Sequence, residues 1–164
     1  MVALRLIRLI EAHSDEISRE LAAKIQSSPR TSHMKKVSKA ELVSGLQELL
    51  QHLSEWLLTK TESDIETRYI EIAARRARES VPLADCCWAI VMTKECLWDY
   101  LQKQGFLRSP IELYGEMELL SLLDQFFDRA LCHMAEGYER AWPSLNAERR
   151  RKRYPEFNAA AFVP

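Results

Sequence analysis

The chain has 164 residues, of which 47% are hydrophobic, so it is long enough for one domain with a core and too apolar to be disordered throughout. It contains only four glycines and six prolines, and this scarcity of turn residues favours a few long helices over a sheet. The net charge of −1 combines a basic run at residues 148–153 with an acidic remainder, which argues against a general phosphate-binding surface.

The first predicted helix covers approximately Val2 to Gln26, where one apolar stripe has helical spacing: Leu6, Ile10, Ile17, Leu21 and Ile25. Small polar residues and a proline at 27–32 end this helix. The second predicted helix covers Lys39 to Thr59, because Ser38 and Glu41 have the spacing of a capping box. Both patterns predict amphipathic helices that turn one side toward a core.

The third predicted helix runs from Ser63 to Glu79, with acidic residues in its first turn, where they stabilise a helix N-terminus. A corner is predicted at Val81, because a proline at 82 disfavours helical geometry in the residue before it. Since proline suits the first turn of a helix, the fourth predicted helix runs from Pro82 to about Lys103. Its broad apolar surface predicts a central position in the domain.

The fifth predicted helix begins at Ser109 with a capping-box pattern and continues to about Trp142, before Pro143. Its roughly 32 residues would span about 48 Å, which is long for a domain of this size. The main apolar stripe of this helix includes Leu113 and Met117. A second stripe lies beside it, and we expect a dimer surface there, at Leu119, Leu122 and Phe126.

These elements predict an all-α fold, namely a five-helix, globin-like or bundle domain with a long C-terminal helix, over residues 1–143. Residues 144–164 combine the basic run with a small-residue end and are predicted to form a flexible tail. The apolar runs are too short for a membrane span, and charged residues interrupt the N-terminal apolar stretch before it could form a secretory signal. We expect a cytoplasmic protein with reduced cysteines.

Two blocks of the sequence resemble a known family. In the first, a basic helix end precedes Val81-Pro82-Leu83, and Asp85 and Leu97-Trp98 follow. In the second, residues 118–138, a Leu-Asp-x-Phe-x-Asp-Arg-Ala run leads to the pair Gly137-Tyr138. These blocks are similar to the N-terminal sensor-type domain of the RsbR and RsbRD family of stressosome co-antagonists. Helical domains of the same kind occur ahead of bacterial histidine kinases and transcription regulators.

The resemblance implies an all-helical, globin-like or bundle domain that forms dimers, binds no haem in the best-known members, and transmits a signal to an output domain. A glycine is common in the family where Ser80 precedes the corner, so a different turn is expected here. The family usually continues into an output module after the last helix. A chain that stops soon after Pro143 is therefore expected to act through contacts or to be a degenerate copy.

A second interpretation is a bundle that binds haem or a metal ion, with His13 or His133 as a ligand. His13 lies on the apolar stripe of the first helix, between Ile10 and Ile17, and haem can be held by one axial histidine. A metal ion needs several converging ligands. His133 precedes Glu136 by three residues, which does not reproduce the Glu-x-x-His pairs of di-iron bundles. The leading interpretation includes no cofactor.

The other polar residues are predicted to have structural roles. A redox-sensing thiol at Cys86 or Cys96 requires exposure and a lowered pKa, and the sequence indicates neither. The basic run is weak evidence for nucleic-acid binding, because no helix-turn-helix is placed to enter a groove. Three carboxylates on one face of the last helix are expected to pair with basic neighbours such as Lys94: Glu116, Asp124 and Asp128.

The leading interpretation is a non-enzymatic sensor or regulatory domain that acts as a homodimer or through a regulatory protein partner, without membrane contact. A ligand or partner that prefers one helix packing would shift the population toward that packing. If a small ligand binds, we expect it between the fourth and fifth helices, in a pocket lined by Trp88, Trp98 and Phe127.

Overall fold

The computed structural model describes residues 2–104 and 109–153, which form an all-α domain with no strand among them. The helices in this part of the chain are α1 Val2–Ala12, α2 Ser14–Ser27, a 3₁₀ helix Pro29–Lys36, α3 Lys39–Gln51, α4 Leu53–Leu58, α5 Glu62–Arg78, α6 Leu83–Lys103 and α7 Pro110–Arg153. The predicted all-α fold with a long C-terminal helix is confirmed. The predicted number of five helices is wrong, because two predicted helices are broken and a 3₁₀ helix follows α2.

The predicted first helix is two helices, because His13 interrupts it with backbone angles outside the helical range (φ −112°, ψ 17°). The Nδ1 atom of its ring lies 2.9 Å from the carbonyl oxygen of Leu9, the acceptor that an unbroken helix assigns to the backbone N–H of His13. That N–H donates instead to the carbonyl of Ile10, at 3.1 Å. A side chain that competes with the backbone for one acceptor therefore explains the break.

The predicted second helix is also two helices, which meet at His52 (φ −113°, ψ 25°). The N-terminus of α4 is stabilised by a distant part of the chain, because the backbone N–H of Ser54 donates a hydrogen bond of 2.8 Å to the carboxylate of Glu11 on α1. Burial acts to raise the pKa of Glu11, but its hydrogen bonds with Ser54 and Arg8 outweigh burial and lower it. The N-terminus of α4, which the break at His52 creates, is therefore capped by a carboxylate from α1.

The fifth predicted helix ends too early, because α7 continues through Pro143. A proline inside a helix removes one backbone N–H and one hydrogen bond. Tertiary contacts hold the continuation: Leu145 packs on the core, and the guanidinium of Arg149 donates to the hydroxyl of Ser80 at 3.1 Å. At 1.5 Å per residue, the 44 residues of α7 span about 66 Å. Residues 154–164 of the predicted tail lie outside the described residues.

The corner between α5 and α6 forms where the proline predicts it and has the hydrogen bonds of a Schellman motif. The backbone N–H of Val81 donates to the carbonyl of Arg76, and that of Ser80 to the carbonyl of Ala77, each at 3.0 Å. Ser80 has a φ of 59°, the left-handed conformation that glycine adopts without steric cost. A serine therefore takes the backbone conformation for which a glycine would be suited.

The helices α5 and α7 approach each other closely in the core. A Cβ atom added to Gly137 of α7 would lie 2.6 Å from Cβ of Ala73 and 3.0 Å from Cα of Ile70, both on α5. The next residue, Tyr138, donates a hydrogen bond of 2.6 Å from its hydroxyl to the buried carbonyl of Val81. Together these two residues fix α7 against α5 and against the corner.

The contact at Gly137 leads to a stability prediction. We expect Gly137→Ala to lower the free energy of unfolding by about 1–3 kcal/mol, because the added methyl group overpacks the α5–α7 interface and outweighs the gain in helix propensity. Urea denaturation followed by circular dichroism measures the change.

The matched control is Gly45→Ala on α3, where an added Cβ meets no atom within 4 Å. This substitution should raise the free energy of unfolding by about 0.5–1 kcal/mol, because alanine has the higher helix propensity. Equal effects of the two substitutions would contradict the close packing at Gly137.

Candidate functional site

The first two turns of α7 expose a group of large apolar side chains. Tyr114 is 73% exposed, Ile111 70%, Met117 58% and Leu113 49%. Large hydrophobic side chains on the surface of a monomer usually occur singly, so four of them within one short segment form a patch of the kind found at interaction sites. We call these four residues the α7 face.

The α7 face lies on the side of the helix that points away from the domain. Successive residues of a helix are 100° apart around its axis, so the mean direction of these four side chains can be compared with that of the buried residues. It is opposite to the mean direction of Gly115, Glu116 and Leu119, which are buried. Burial, together with the charge of Glu112, raises the pKa of the Glu116 carboxyl. The beginning of α7 therefore contacts its own domain through one side and offers hydrophobic side chains on the other.

Two of the three residues proposed for a dimer surface are already covered by their own chain. Leu119 is fully buried, Phe126 is 3% exposed, and Leu122 is partly buried. The ring of Phe126 packs at centroid distances of 5.0–6.0 Å against three other rings: Trp56, Tyr69 and Phe127. Sequence periodicity assigns Leu113 and Met117 to the core stripe, but both are exposed.

The structure does not bring the three proposed pocket residues together. Phe127 is buried and lines a cavity of about 140 Å³ that is partly open to the surface. Trp88 lies at the surface, where the guanidinium of Arg30 stacks on its ring at 3.9 Å from the centroid. Trp98 is half-buried on the same helix, ten residues further on, which corresponds to about 15 Å along the axis. The two tryptophans are therefore too far apart to line one cavity of this size.

A second apolar surface lies where α7 passes the corner between α5 and α6, and we call it the corner groove. It has a volume of about 640 Å³, and its apolar lining includes Val81, Pro82, Leu83, Trp142 and Leu145. The groove exists because α7 continues beyond the proline at which the sequence predicts its end. Its walls combine the family-like corner motif with the part of α7 that sequence reasoning assigns to the tail.

The thiol of Cys86 lies behind the corner groove, 3.2 Å from the hydroxyl of Tyr138. Burial raises the pKa of this thiol to about 11, so the thiol is protonated at neutral pH. Cys96 is also buried, and burial raises its pKa in the same direction. Since the thiolate is the reactive form of cysteine, neither residue has the properties that a redox sensor requires.

Both histidines proposed as ligands have other partners. The ring of exposed His13 bonds to the carbonyl of Leu9 in its own helix. The ring of His133 lies between two carboxylates, with Nε2 2.7 Å from Glu62 and Nδ1 3.2 Å from Glu136. Within residues 2–104 and 109–153, no group of three His, Cys, Asp or Glu side chains is arranged to hold a metal ion.

The two carboxylates alter the protonation of His133. Burial of the ring favours its neutral form, but the hydrogen bonds with Glu62 and Glu136 outweigh burial and raise its pKa. Glu62 is held from its other side by Arg129, whose Nε atom lies 2.6 Å from the carboxylate. When the ring is protonated, it is part of a charged bridge between α5 and α7.

Two further charged residues of α7, Asp124 and Arg149, contact other parts of the domain. The expected pairing of three carboxylates is confirmed at Asp124, whose oxygen lies 3.0 Å from Nζ of Lys94 on α6. Within the described residues, Glu116 and Asp128 form no ion pair, so the expectation is wrong for these two. The described part of the basic run, residues 148–153, continues the helix. Within it, Arg149 bonds to Ser80 rather than standing free in solvent.

The comparisons with known proteins agree with the resemblance seen in the sequence. The family model described as RsbT co-antagonist protein rsbRD N-terminal domain matches residues 9–153, which includes both sequence blocks that carry the resemblance. No curated protein and no solved structure matches the chain. Among the helices of the described residues, none combines the length and the apolar character that crossing a membrane requires.

The bridge at His133 makes stability depend on pH. Because folding raises the pKa of His133, its contribution is complete below the pKa of the unfolded state, about 6.5, and is lost as pH rises through the higher pKa of the folded state. We therefore expect His133→Gln to destabilise the domain more at pH 5.5 than at pH 9, as measured by urea unfolding at both values. Glu136→Gln should reduce this pH dependence, and an equal loss at both pH values would contradict the assignment.

Proposed function

The chain belongs to the RsbRD N-terminal domain family, and we propose that it is a signal-sensing regulatory domain that acts through protein contacts and without catalysis. The description of the family as an RsbT co-antagonist domain supports a regulatory role related to the stressosome. The buried, protonated thiol of Cys86 and the fully engaged ring of His133 favour structural rather than chemical roles for these residues.

The observation that carries the proposal is the α7 face. We propose that it contacts the same face of a second copy, so that two α7 helices pack side by side. In a two-fold dimer each copy contributes the same surface, and an apolar patch is complementary to itself without any need for opposite charges. Burial of large apolar side chains such as Tyr114 and Met117 is the main driving force available to such an interface.

The proposed signal is transmitted through α7 itself, because the same helix forms the core contact at Gly137 and carries the α7 face. Packed helices adopt discrete arrangements rather than deforming continuously. A ligand or partner that binds one arrangement of α7 on α5 more tightly increases the population of that arrangement. The size of this shift is limited by the difference between its affinities for the two arrangements. The shift would then change how the α7 face meets its partner.

Substitution of the α7 face tests the proposed dimer. The double variant Tyr114→Glu/Met117→Glu should weaken dimerisation at least tenfold, because each copy would have to bury two unpaired charges. Sedimentation velocity over a range of protein concentrations measures the dissociation constant. Phe126→Glu is not an informative test, because Phe126 belongs to the aromatic core of one chain.

The control is Leu58→Glu, which introduces a charge at an exposed large apolar residue (45%) on α4, outside the α7 face. This control should dimerise like the unmodified protein. A wild-type protein that remains monomeric at high concentration, or a double variant that dimerises as tightly as wild type, would refute the assigned interface.

A further inference from the structure

The corner groove has no partner in the proposed function, although its walls are apolar and accessible. Its volume of about 640 Å³ lies within the usual range of binding sites in proteins. Trp142, which forms part of its wall, is 53% exposed. A tryptophan exposed in a concave apolar surface is a common anchor of protein interfaces. The groove is therefore a candidate for a second contact of this domain.

The groove follows one side of α7. The residues that form this side are spaced by four, three and four positions: Tyr138, Trp142, Leu145 and Arg149. They extend over eleven residues, which is about 16 Å or three helical turns. The opposite wall is the corner itself, from Ser80 to Leu83. A groove of this length suits a helix that presents apolar side chains at i, i+4 and i+7.

Cations gather at the end of the groove where α7 passes Ser80. The guanidinium of Arg149 donates to the hydroxyl of Ser80 at 3.1 Å, and Nζ of Lys36 donates to its carbonyl at 2.8 Å. Lys152 and Arg153 follow three and four residues after Arg149, so they lie on the same side of α7. Within residues 2–104 and 109–153, none of these four cations is paired with a carboxylate. This end therefore favours a negatively charged partner group.

The other end of the groove differs in charge. Glu139 is part of the wall there, ten residues before Arg149 and so about 15 Å away along the helix. The groove therefore changes from acidic to basic along its length. An occupant that complements it carries its negative charge at one end only.

The length and the chemistry of this surface favour a segment of a protein over other occupants. The apolar and basic parts follow one another on α7 from Tyr138 to Arg153, over about 22 Å. A compound with one or two rings cannot reach both parts. A nucleic acid would neutralise the cations but has no apolar side chains for the lining, and the surface of a lipid bilayer is too broad to enter a groove. An amphipathic peptide matches both parts.

We propose that the corner groove binds an acidic amphipathic helix of a partner protein, and that this helix runs antiparallel to α7. Its carboxylates are in its first turn, where they stabilise the helix N-terminus and contact the cations around Ser80. Its apolar side chains at i, i+4 and i+7 fill the groove between Trp142 and the corner. This contact goes beyond the proposed function, because it uses the end of α7 opposite to the α7 face.

A synthetic peptide tests the proposal. It has about 16 residues, which span about 24 Å as a helix. Glutamates form its first turn, leucines follow at i, i+4 and i+7, the remaining residues are alanine, and a fluorescent label is attached at the C-terminus. Fluorescence anisotropy with the full chain should show saturable binding of one peptide per chain, with a dissociation constant of about 100 μM or tighter. No saturable binding would overturn the proposal.

Two control peptides separate the charge from the apolar contact. Replacement of the glutamates by glutamine should weaken binding at least about fivefold at low salt, because the cations lose their partners. Replacement of the leucines by alanine should weaken binding at least about tenfold, because the groove is left unfilled. A glutamine peptide that binds as tightly as the acidic peptide would contradict the role of the basic end.

A tryptophan substitution locates the apolar contact. Trp142→Ala should weaken binding of the acidic peptide at least about tenfold, because it removes the exposed anchor. The matched control is Trp88→Ala, which changes another surface tryptophan that is not part of the groove wall and should leave binding unchanged. Circular dichroism confirms that both variants are folded. Equal effects of the two substitutions would refute the assigned groove.

A charge reversal locates the basic contact. Lys152→Glu/Arg153→Glu should weaken binding about tenfold at about 50 mM salt and less at about 500 mM, because salt screens the attraction. The control Arg5→Glu/Lys103→Glu makes the same change in net charge at exposed positions outside the groove wall. This control should bind the peptide like wild type. Equal losses in the two variants would mean that net charge alone attracts the peptide, and would contradict a defined site.

Two other occupants of the groove correspond to distinct outcomes. Phe157→Ser/Phe162→Ser removes two aromatic rings from the segment after α7. If it tightened peptide binding at least about tenfold, the groove would hold the chain's own residues 154–164 and the assignment to a partner would be wrong. An oligonucleotide that displaced the labelled peptide at a lower concentration than unlabelled peptide would assign the basic end to nucleic acid and would also refute the proposal.

The groove and the dimer are tested separately. The double variant Tyr114→Glu/Met117→Glu should bind the peptide with wild-type affinity, because its substitutions are on the α7 face. This result would support the groove whether or not the unmodified chain forms the dimer. Loss of peptide binding in that variant would contradict a site that is independent of the α7 face.

Discussion

The close approach of α5 and α7 at Gly137 is the contact on which the rest of the domain depends. A side chain at this position would collide with Ala73 and with the backbone of Ile70, so only glycine lets the two helices meet at this distance. The distance brings the hydroxyl of Tyr138 to the carbonyl of Val81, and this hydrogen bond fixes the corner from which α6 begins. The Gly137-Tyr138 pair is therefore structural, and it positions two surfaces that are themselves candidates for function.

The anchoring of α7 at this point explains why its two ends are exposed to contacts. At about 66 Å, the helix is longer than the core that it covers. Its first turns carry the α7 face, and its last turns pass the corner and form the corner groove. The cavity lined by Phe127 lies among α3, α5, α6 and α7. A change in the α5–α7 contact would therefore alter the shape of the cavity and the position of the α7 face.

The sequence predicted those features that depend on neighbouring residues. The corner at Val81, the cap at Ser109 and the start of α3 after Ser38 follow from local proline and capping chemistry, and all three are present. The break at α4 depends on a carboxylate 43 residues away, and the continuation of α7 depends on packing against the corner, so neither has a local signal. Periodicity likewise identified two stripes on α7 without showing which one faces the core.

Amide hydrogen exchange at several protein concentrations most directly tests the claim that α7 is anchored by Gly137 and contacts a second copy through the α7 face. Amides of residues 130–138 should be protected at every concentration, since they open only with the whole domain. Amides of residues 111–117 should gain protection as the concentration rises and dimers form. Concentration-independent exchange at 111–117, or faster exchange at 130–138 than at 111–117, would contradict the account.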